Sequence, residues 1–338
     1  MKFGLYAPVP HVTIGSDPIR RAIHSALQPL PAGAVDPQYE LSKEVLLAAD
    51  EAGFDIILFA ERHRGPDLEA WVLASAMSAL TKRITSMVAV HPGLWHPTLI
   101  AKMAWTLDRI TLGRSAINVM TGWNVDEARM FGGDILLENN DRYIRAEEFV
   151  DILRGMWAKS PFSYKGRFYD VLEAELLLRP AGHLEVFAAS RSPRGLDMVA
   201  RSADWWFVDF DLTSTSTAQV LEAIKRSIGD MRDRAAKAGR TVRIAFNPYV
   251  GFGQTKEAAI TEARGLLALE DPTEKRKIEA RLAPAMVTGC LGPPEAVRQQ
   301  LWCYAELGID LFLFKFVPTP ENVVAIRDEI ITPMRRSS

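Results

Sequence analysis

Cysteine is almost missing from this chain. Cys290 and Cys303 are the only two, there is no CxxC pair, and the lack of a disulfide framework fits a reducing cytoplasm. Charge of one sign is lacking as well: 40 Lys and Arg against 42 Asp and Glu leave a formal net charge of -2. Such a balance implies no polyanion-binding surface, so nucleic acid is not an expected partner. No uninterrupted apolar run approaches the roughly 20 residues of a membrane span. The short apolar start is broken by Pro8 and Pro10, which argues against a signal peptide and for a cytoplasmic protein. There is no Walker motif and no GxGxxG, so nothing supports nucleoside triphosphate chemistry or a Rossmann half. A GxSxG elbow is absent too, and local self-similarity never reaches the regularity of a solenoid.

What is present is a large apolar fraction, 48% of residues, enough for a sizeable core. Short apolar runs alternate with helical patterns along the chain. Strands are expected at 2–6, 54–59, 84–90, 115–120, 185–189, 205–208, 242–250 and 310–316. Helices are expected at 39–52, 69–80, 98–110, 142–157, after Ser192-Pro193, and at 217–238, 256–269, 294–307 and 322–334, with a short one around 19–27. Residues 162–178 read as a hairpin insertion. Eight strands alternating with helices indicate parallel βαβ units closed into a TIM barrel with insertions. No linker-like composition break occurs, so residues 1–338 read as one domain.

Candidate chemistry gathers where the strands end. The apolar run Ser115–Met120 turns abruptly polar at Thr121, Gly122, Trp123, Asn124, Asp126 and Glu127, as the ligand-handling end of a barrel strand does. Asn118 is a carboxamide inside that run, to be satisfied by a bound ligand or by neighbouring backbone. Glu61, Arg62, His63 and Arg64 follow the second strand and suit an anionic or polar ligand, the alternative being a solvated loop with an ion pair. Histidine there could serve as acid, base or donor. His91 and His96 follow the third strand at a spacing that favours a pocket wall over a metal site. Ser190, Arg191 and Ser192 precede a helix with Pro193 at its first position, an arrangement that serves either as a phosphate cradle or as plain capping. Of eight tryptophans, several fall at strand ends, where they would wall a flat conjugated ligand or pack the core.

These residues resemble the bacterial luciferase-like flavin monooxygenases, and within them the alkanesulfonate and dimethyl sulfone monooxygenase branch. The resemblance is carried by Ala101–Arg109, Gly113-Arg114, and Ile117-Asn118-Val-Met-Thr121-Gly122-Trp123. Arg142-Tyr143, Glu147-Glu148-Phe149, Lys165–Phe168, Ala189-Ser190 and Tyr304–Ile309 add to it. It implies a TIM barrel that binds reduced FMN at the strand ends, with a separate NAD(P)H-dependent flavin reductase supplying the cofactor and O2 as co-substrate. The flavin would do the difficult chemistry while the protein orients, excludes water and places charge. The small organic substrate would be oxygenated, with C–S or C–N cleavage among the expected outcomes.

Carried over by position, Asn118 would lie against the flavin ring and Ala89, Thr121 and Gly122 would line the cofactor. Tyr143 would reach the phosphate, with Ser190, Arg191 and Ser192 around it. His63 or Arg62 falls where the luciferase subunit has its catalytic histidine. Asn118, His63 and Arg62 are therefore the catalytic candidates, and Glu61, Arg64, His91, Trp123, Asn247 and Tyr249 the substrate-side ones. Asn247 and Tyr249 stand where the alkanesulfonate enzymes carry Arg and His, Asp67 at their cysteine position and Val317 at a tyrosine. The mobile loop is shortened to Val287–Gly292. A sulfonate needs cationic partners, so a plain alkanesulfonate is disfavoured unless Arg62, Arg64 or Arg191 substitutes. The pyrimidine-cleaving branch shares the Thr-Gly-Trp ending but has a threonine where this chain has Ala89. The alternatives are a deazaflavin-dependent hydride-transferring enzyme of the same fold and a non-catalytic flavin-binding protein. The resemblance also implies a homodimer or homotetramer.

Overall fold

The computed structural model describes residues 1–9, 28–63, 65, 67–121, 125–132, 137, 140–209, 214–265, 283 and 286–336. Eight short strands form a closed barrel: β1 (Lys2–Tyr6), β2 (Ile56–Phe59), β3 (Thr85–Val90), β4 (Ser115–Val119), β5 (Glu185–Ala188), β6 (Trp205–Phe207), β7 (Arg243–Phe246) and β8 (Leu311–Phe314). Each pairs in parallel with the next, and β8 closes onto β1 with Lys2 beside Leu311 and Leu5 beside Phe314. The strands are apolar on both faces because one side lines the barrel and the other packs under helices.

Alternation sorts the two sides. Ile56, Leu58, Met87, Ala89, Ala116, Phe187, Trp205, Phe207, Ala245, Leu311 and Leu313 form the interior cluster, while Phe3, Leu5, Ile57, Val88 and Ile117 join the larger cluster beneath the helices. At the N-terminal end of the strands, Glu185 pairs with Arg243 and lies 3.8 Å from Lys2, and both cations sit over the Trp205 ring. Layer spacing is tight at Gly4. A Cβ there would meet Ile56 Cγ2 at 2.5 Å, the Ile56 carbonyl oxygen at 2.7 Å and Leu313 Cδ1 at 2.8 Å. Gly4→Ala is therefore expected to destabilise the fold by about 1–3 kcal/mol through overpacking. Urea unfolding measures this; an unchanged midpoint would show that the barrel relaxes around the methyl.

Helix ends carry the signals that stop them. Asp36 accepts from the backbone of Gln38 and Tyr39 at the start of the helix Pro37–Ala52, and Gly53 ends it at a φ of 80°. The helix Asp141–Ala158 matters most for the site. Its Glu147 accepts from Arg194 at 2.8 and 2.6 Å and pairs with Arg201, tying it to the helix Pro193–Ser202. Its Glu148 accepts three backbone N–H groups, of Arg167, Phe168 and Tyr169, which fixes the turn of the hairpin Phe162–Lys165/Asp170–Ala174. The insertion read from the sequence is thus anchored by a buried carboxylate.

Some boundaries differ from expectation. The seventh strand ends at Phe246, because Asn247-Pro248 leaves the ladder; Tyr249 then bridges Lys315, and Gly251–Phe252 pairs with Leu291–Gly292. The closing helix is interrupted by a π-helical turn at Arg327–Ile331. A six-residue helix, Val125–Met130, was not expected. The short helix around 19–27 lies outside the described residues, as do 266–269 of the expected helix 256–269.

Candidate functional site

Strand parity continues past the apolar layers and decides which side chains reach the C-terminal mouth. Tyr6, Met120 and Ala189 pack on the interior cluster at this end. Asn118 follows Ala116 by two, Asn247 follows Ala245 by two, and Lys315 follows Leu313 by two. All three therefore belong to the inward face. Ala89 sits beside Asn118 in register, one strand over.

Asn118 is 4% exposed. Its Nδ2 makes one weak contact, 3.4 Å to Met120 Sδ, and its Oδ1 is buried without a hydrogen-bond partner among the described residues. The backbone alternative for this amide is therefore not what the structure contains. An unsatisfied buried acceptor is costly and calls for a ligand or a water. Thr121 follows at the end of the same strand, half-buried, while Gly122 and Trp123 lie outside the described residues.

Around β2, β3 and β4 the ionisable groups are packed together. Arg62 meets Glu127, on the helix Val125–Met130, at 2.9 Å, and both side chains are largely enclosed. His63 Nδ1 lies 3.6 Å from Glu61 Oε1, and its backbone N–H donates to Glu127 at 3.4 Å. The His63 ring contacts Phe131 edge-on at 4.7 Å and His91 at 6.1 Å. The sequence alternative of a solvated loop fails here, although the ion pair it invoked is real. Arg64 lies outside the described residues, and His96 caps the helix Pro97–Thr111 instead of lining the mouth.

Burial sets the charges of this cluster. Glu61 is pushed up to about 8, first by burial and then by the Glu69 carboxylate beside it, against the Ala70 N–H it accepts. His91 is pushed down to about 4 by burial and by His63 and Arg62. Burial also lowers His63, opposed by Glu127 and Glu69. At neutral pH the arrangement therefore holds a protonated carboxyl beside two neutral imidazoles, a set able to keep or pass a proton. The raised Glu61 implies stability that is full below about pH 4.5, its ordinary value, and lost as pH climbs towards 8. Glu61→Gln is expected to flatten that loss, measured as urea midpoints at about pH 5 and about pH 8. Parallel midpoints for the two proteins would contradict the shift.

The third group lies after β5. Ser192 caps the helix Pro193–Ser202: its Oγ accepts from Gly195 at 3.1 Å and donates to the Tyr143 hydroxyl at 2.8 Å. Arg142 also donates to that hydroxyl, at 2.8 Å. Burial alone would raise Tyr143, but hydrogen bonds from Ser192 and Ser190 and the nearby Arg142 outweigh it and hold the phenol below its usual value. A Cβ on Gly195 would overlap Ser190 Oγ and come within 2.7 Å of Tyr143 Cε1. The capping alternative is present in these bonds; hydroxyls, a helix N–H group and the Arg142 guanidinium gather around the same helix start, where only glycine leaves room. Arg191 does not join them. Its Nε donates to Asp209 at 2.7 Å and its guanidinium is paired there.

On the opposite rim, Asn247 Nδ2 donates to the Tyr6 hydroxyl at 3.0 Å, and Lys315 Nζ stands 5.5 Å from the Tyr6 ring centre. Tyr249 is buried and bridged to Lys315 through the backbone. Arg142 and Glu127 are named from the sequence without a site role of their own, and Lys315 is not singled out. Of the strand-end tryptophans that are described, Trp71, Trp205 and Trp206 are core residues, and Trp95 and Trp105 lie against the core. Among the described residues no group of three or more His, Cys, Asp or Glu could hold a metal ion.

An eight-stranded parallel barrel with a loop-built polar mouth defines an enzyme-type (β/α)8 architecture. The family model described as luciferase-like monooxygenase matches residues 19–311, and the chain belongs to that family. It is 27% identical over 326 residues to the "FMNH(2)-dependent dimethylsulfone monooxygenase" of Pseudomonas fluorescens (strain Pf0-1), covering 88% of this chain and 87% of that one. It is 29% identical over 319 residues to "Pyrimidine monooxygenase RutA" of Allorhizobium ampelinum, covering 88% and 82%. Among solved structures, EDTA monooxygenase (EmoA) from Chelativorans sp. BNC1 shares the fold with a TM-score of 0.78 at 16% identity, over 100% of this chain and 94% of that one.

Proposed function

We propose that this chain is the oxygenase of a two-component system: it takes reduced FMN from a separate NAD(P)H-dependent flavin reductase and uses O2 to oxygenate a small organic molecule, with C–S or C–N cleavage as an outcome. The observation that carries this reading is the pairing of a hydroxyl-lined helix start, tight at Gly195, with the orphaned amide oxygen of Asn118 on the neighbouring strand. A phosphate tail and a flat polar ring need those two features. The FMNH2-dependent relative supports the choice of cofactor. Bound there, reduced FMN would supply the activation of molecular oxygen.

The chain's own residues would do the remainder. Tyr143, Ser190 and Ser192, with Arg142, receive the phosphate, and Arg191 shapes the loop through Asp209. Ala89, small and inward, leaves space for the ring beside Asn118, with Thr121 along its edge; Gly122, the other candidate there, lies outside the described residues. Asn118 orients the ring through its free Oδ1, while Nδ2 has only a thioether to give up. Glu61, protonated at neutral pH, would hold a proton 3.6 Å from His63 Nδ1, and Arg62 fixes that loop by gripping Glu127. His91, Asn247 and Tyr249 would face the substrate; Arg64 and Trp123, the other substrate-side candidates, lie outside the described residues. The low-dielectric mouth strengthens each of these contacts and excludes water. We assign the whole chain to one such domain acting in the cytoplasm as a homodimer or homotetramer. Among the described residues no helix is long and apolar enough to cross a membrane.

Anaerobic titration tests the reading. Reduced FMN is expected to bind more tightly than oxidised FMN and than a reduced deazaflavin. Preference for the deazaflavin would replace oxygenation with hydride transfer, and equal binding of both FMN forms without O2 chemistry would leave a flavin-binding protein.

A further inference from the structure

The far rim of the mouth holds a cation, Lys315, that no carboxylate among the described residues pairs with. Lys315 belongs to the inward face of β8 by parity with Leu311 and Leu313. Its backbone is clamped on both sides: its N–H donates to the Pro248 carbonyl at 2.9 Å and its carbonyl accepts from Val250 at 2.8 Å. The side chain emerges from a rigid strand end rather than a loop. Nζ stacks over the Tyr6 ring, and among the described residues it forms no ion pair. Of the arginines expected near the mouth, the two that are described are paired, Arg62 with Glu127 and Arg191 with Asp209.

Next to it, Asn247 donates to the oxygen of Tyr6, which leaves the Tyr6 O–H proton to be given elsewhere. The ammonium over the Tyr6 ring and the phenol proton of the same residue thus have no acceptor among the described residues. We propose that Lys315, Tyr6 and Asn247 form a subsite for an oxyanion of the substrate, a carboxylate or a sulfonate. The substrate class is thus a small organic acid, held by its anionic end at β8–β1 and presented across the barrel towards Asn118. This inference rests on the oxygenase reading for the location of the reacting end. It supplies the cation that positions 247 and 249 lack.

Matched probes test it. Methanesulfonate and dimethyl sulfone are nearly the same shape and differ by one charge; acetate adds the carboxylate arm. Affinities are measured by saturation-transfer NMR titration on wild type, Lys315→Met and Lys315→Arg. Wild type is expected to prefer the anions to the sulfone. Lys315→Met is expected to lose about tenfold or more in anion affinity, with Lys315→Arg within a few fold of wild type and the sulfone unmoved. The stronger of the two anions identifies the oxyanion. No preference for anions in wild type, or undiminished anion binding in Lys315→Met, overturns the subsite. Reduced-FMN affinity, titrated separately on wild type, reports on the flavin reading alone, so the two failures are distinguishable.

Discussion

Gly195→Ala is expected to weaken binding of reduced FMN by roughly ten- to a hundredfold while the barrel stays folded. The added methyl stands where Ser190 Oγ now lies and presses on the Tyr143 ring, so the hydroxyl must turn out of the cradle and the phenol must shift from Ser192. Helix stability is not the issue, since alanine is favoured over glycine in a helix by up to ~1 kcal/mol. Thermal unfolding should therefore change little while the anaerobic FMN titration changes much. Ser190→Ala, which removes the hydroxyl and adds no bulk, should lose less. Wild-type affinity in Gly195→Ala would take the phosphate away from this loop.

Asn118→Leu is expected to separate stability from function. The native amide keeps Oδ1 buried without a hydrogen bond, and its one donor contact is to sulfur. An apolar side chain of similar volume removes that desolvation cost, so the variant should be as stable as wild type or more so, by about 1 kcal/mol. Oxygenation should fall at least about a hundredfold, because no group remains to orient the ring at the reacting edge. Urea unfolding and steady-state turnover with a reductase measure the two halves. A destabilised Asn118→Leu would mean that the amide serves the barrel, and full turnover would remove it from the reaction.

The fold was legible because barrel strands are short, apolar on both faces and regularly punctuated. Lys2–Tyr6 matches its expected bounds, and Ser115–Val119 falls one residue short. Where expectation slipped, a local rule was overridden: Asn247-Pro248 ends a strand that looked continuous to residue 250, and a π turn sits inside a helix whose pattern looked regular. The site was legible where one segment carries it, as in Ser190–Ser192 and Glu61–His63. It was not legible where partners come from afar. Glu127 reaches Arg62 from 65 residues away on a helix too short to show periodicity. Arg191 looked like the phosphate ligand because composition cannot reveal Asp209 opposite it, and Arg142, next to Tyr143, holds the phenol instead. Lys315 was hidden inside a run read simply as strand. Strand parity was the available signal, since Leu311, Leu313 and Lys315 share one face.

The most direct measurement is the return of oxidised-FMN absorbance in a stopped-flow instrument. Protein saturated with reduced FMN is mixed with oxygenated buffer and compared with free reduced FMN under the same conditions. Reoxidation on kinetics clearly distinct from the free flavin, reverting towards the free rate in Asn118→Leu, is the expected result. Reoxidation at the free-flavin rate, at protein concentrations that the anaerobic titration shows to be saturating, would contradict oxygen chemistry in this barrel.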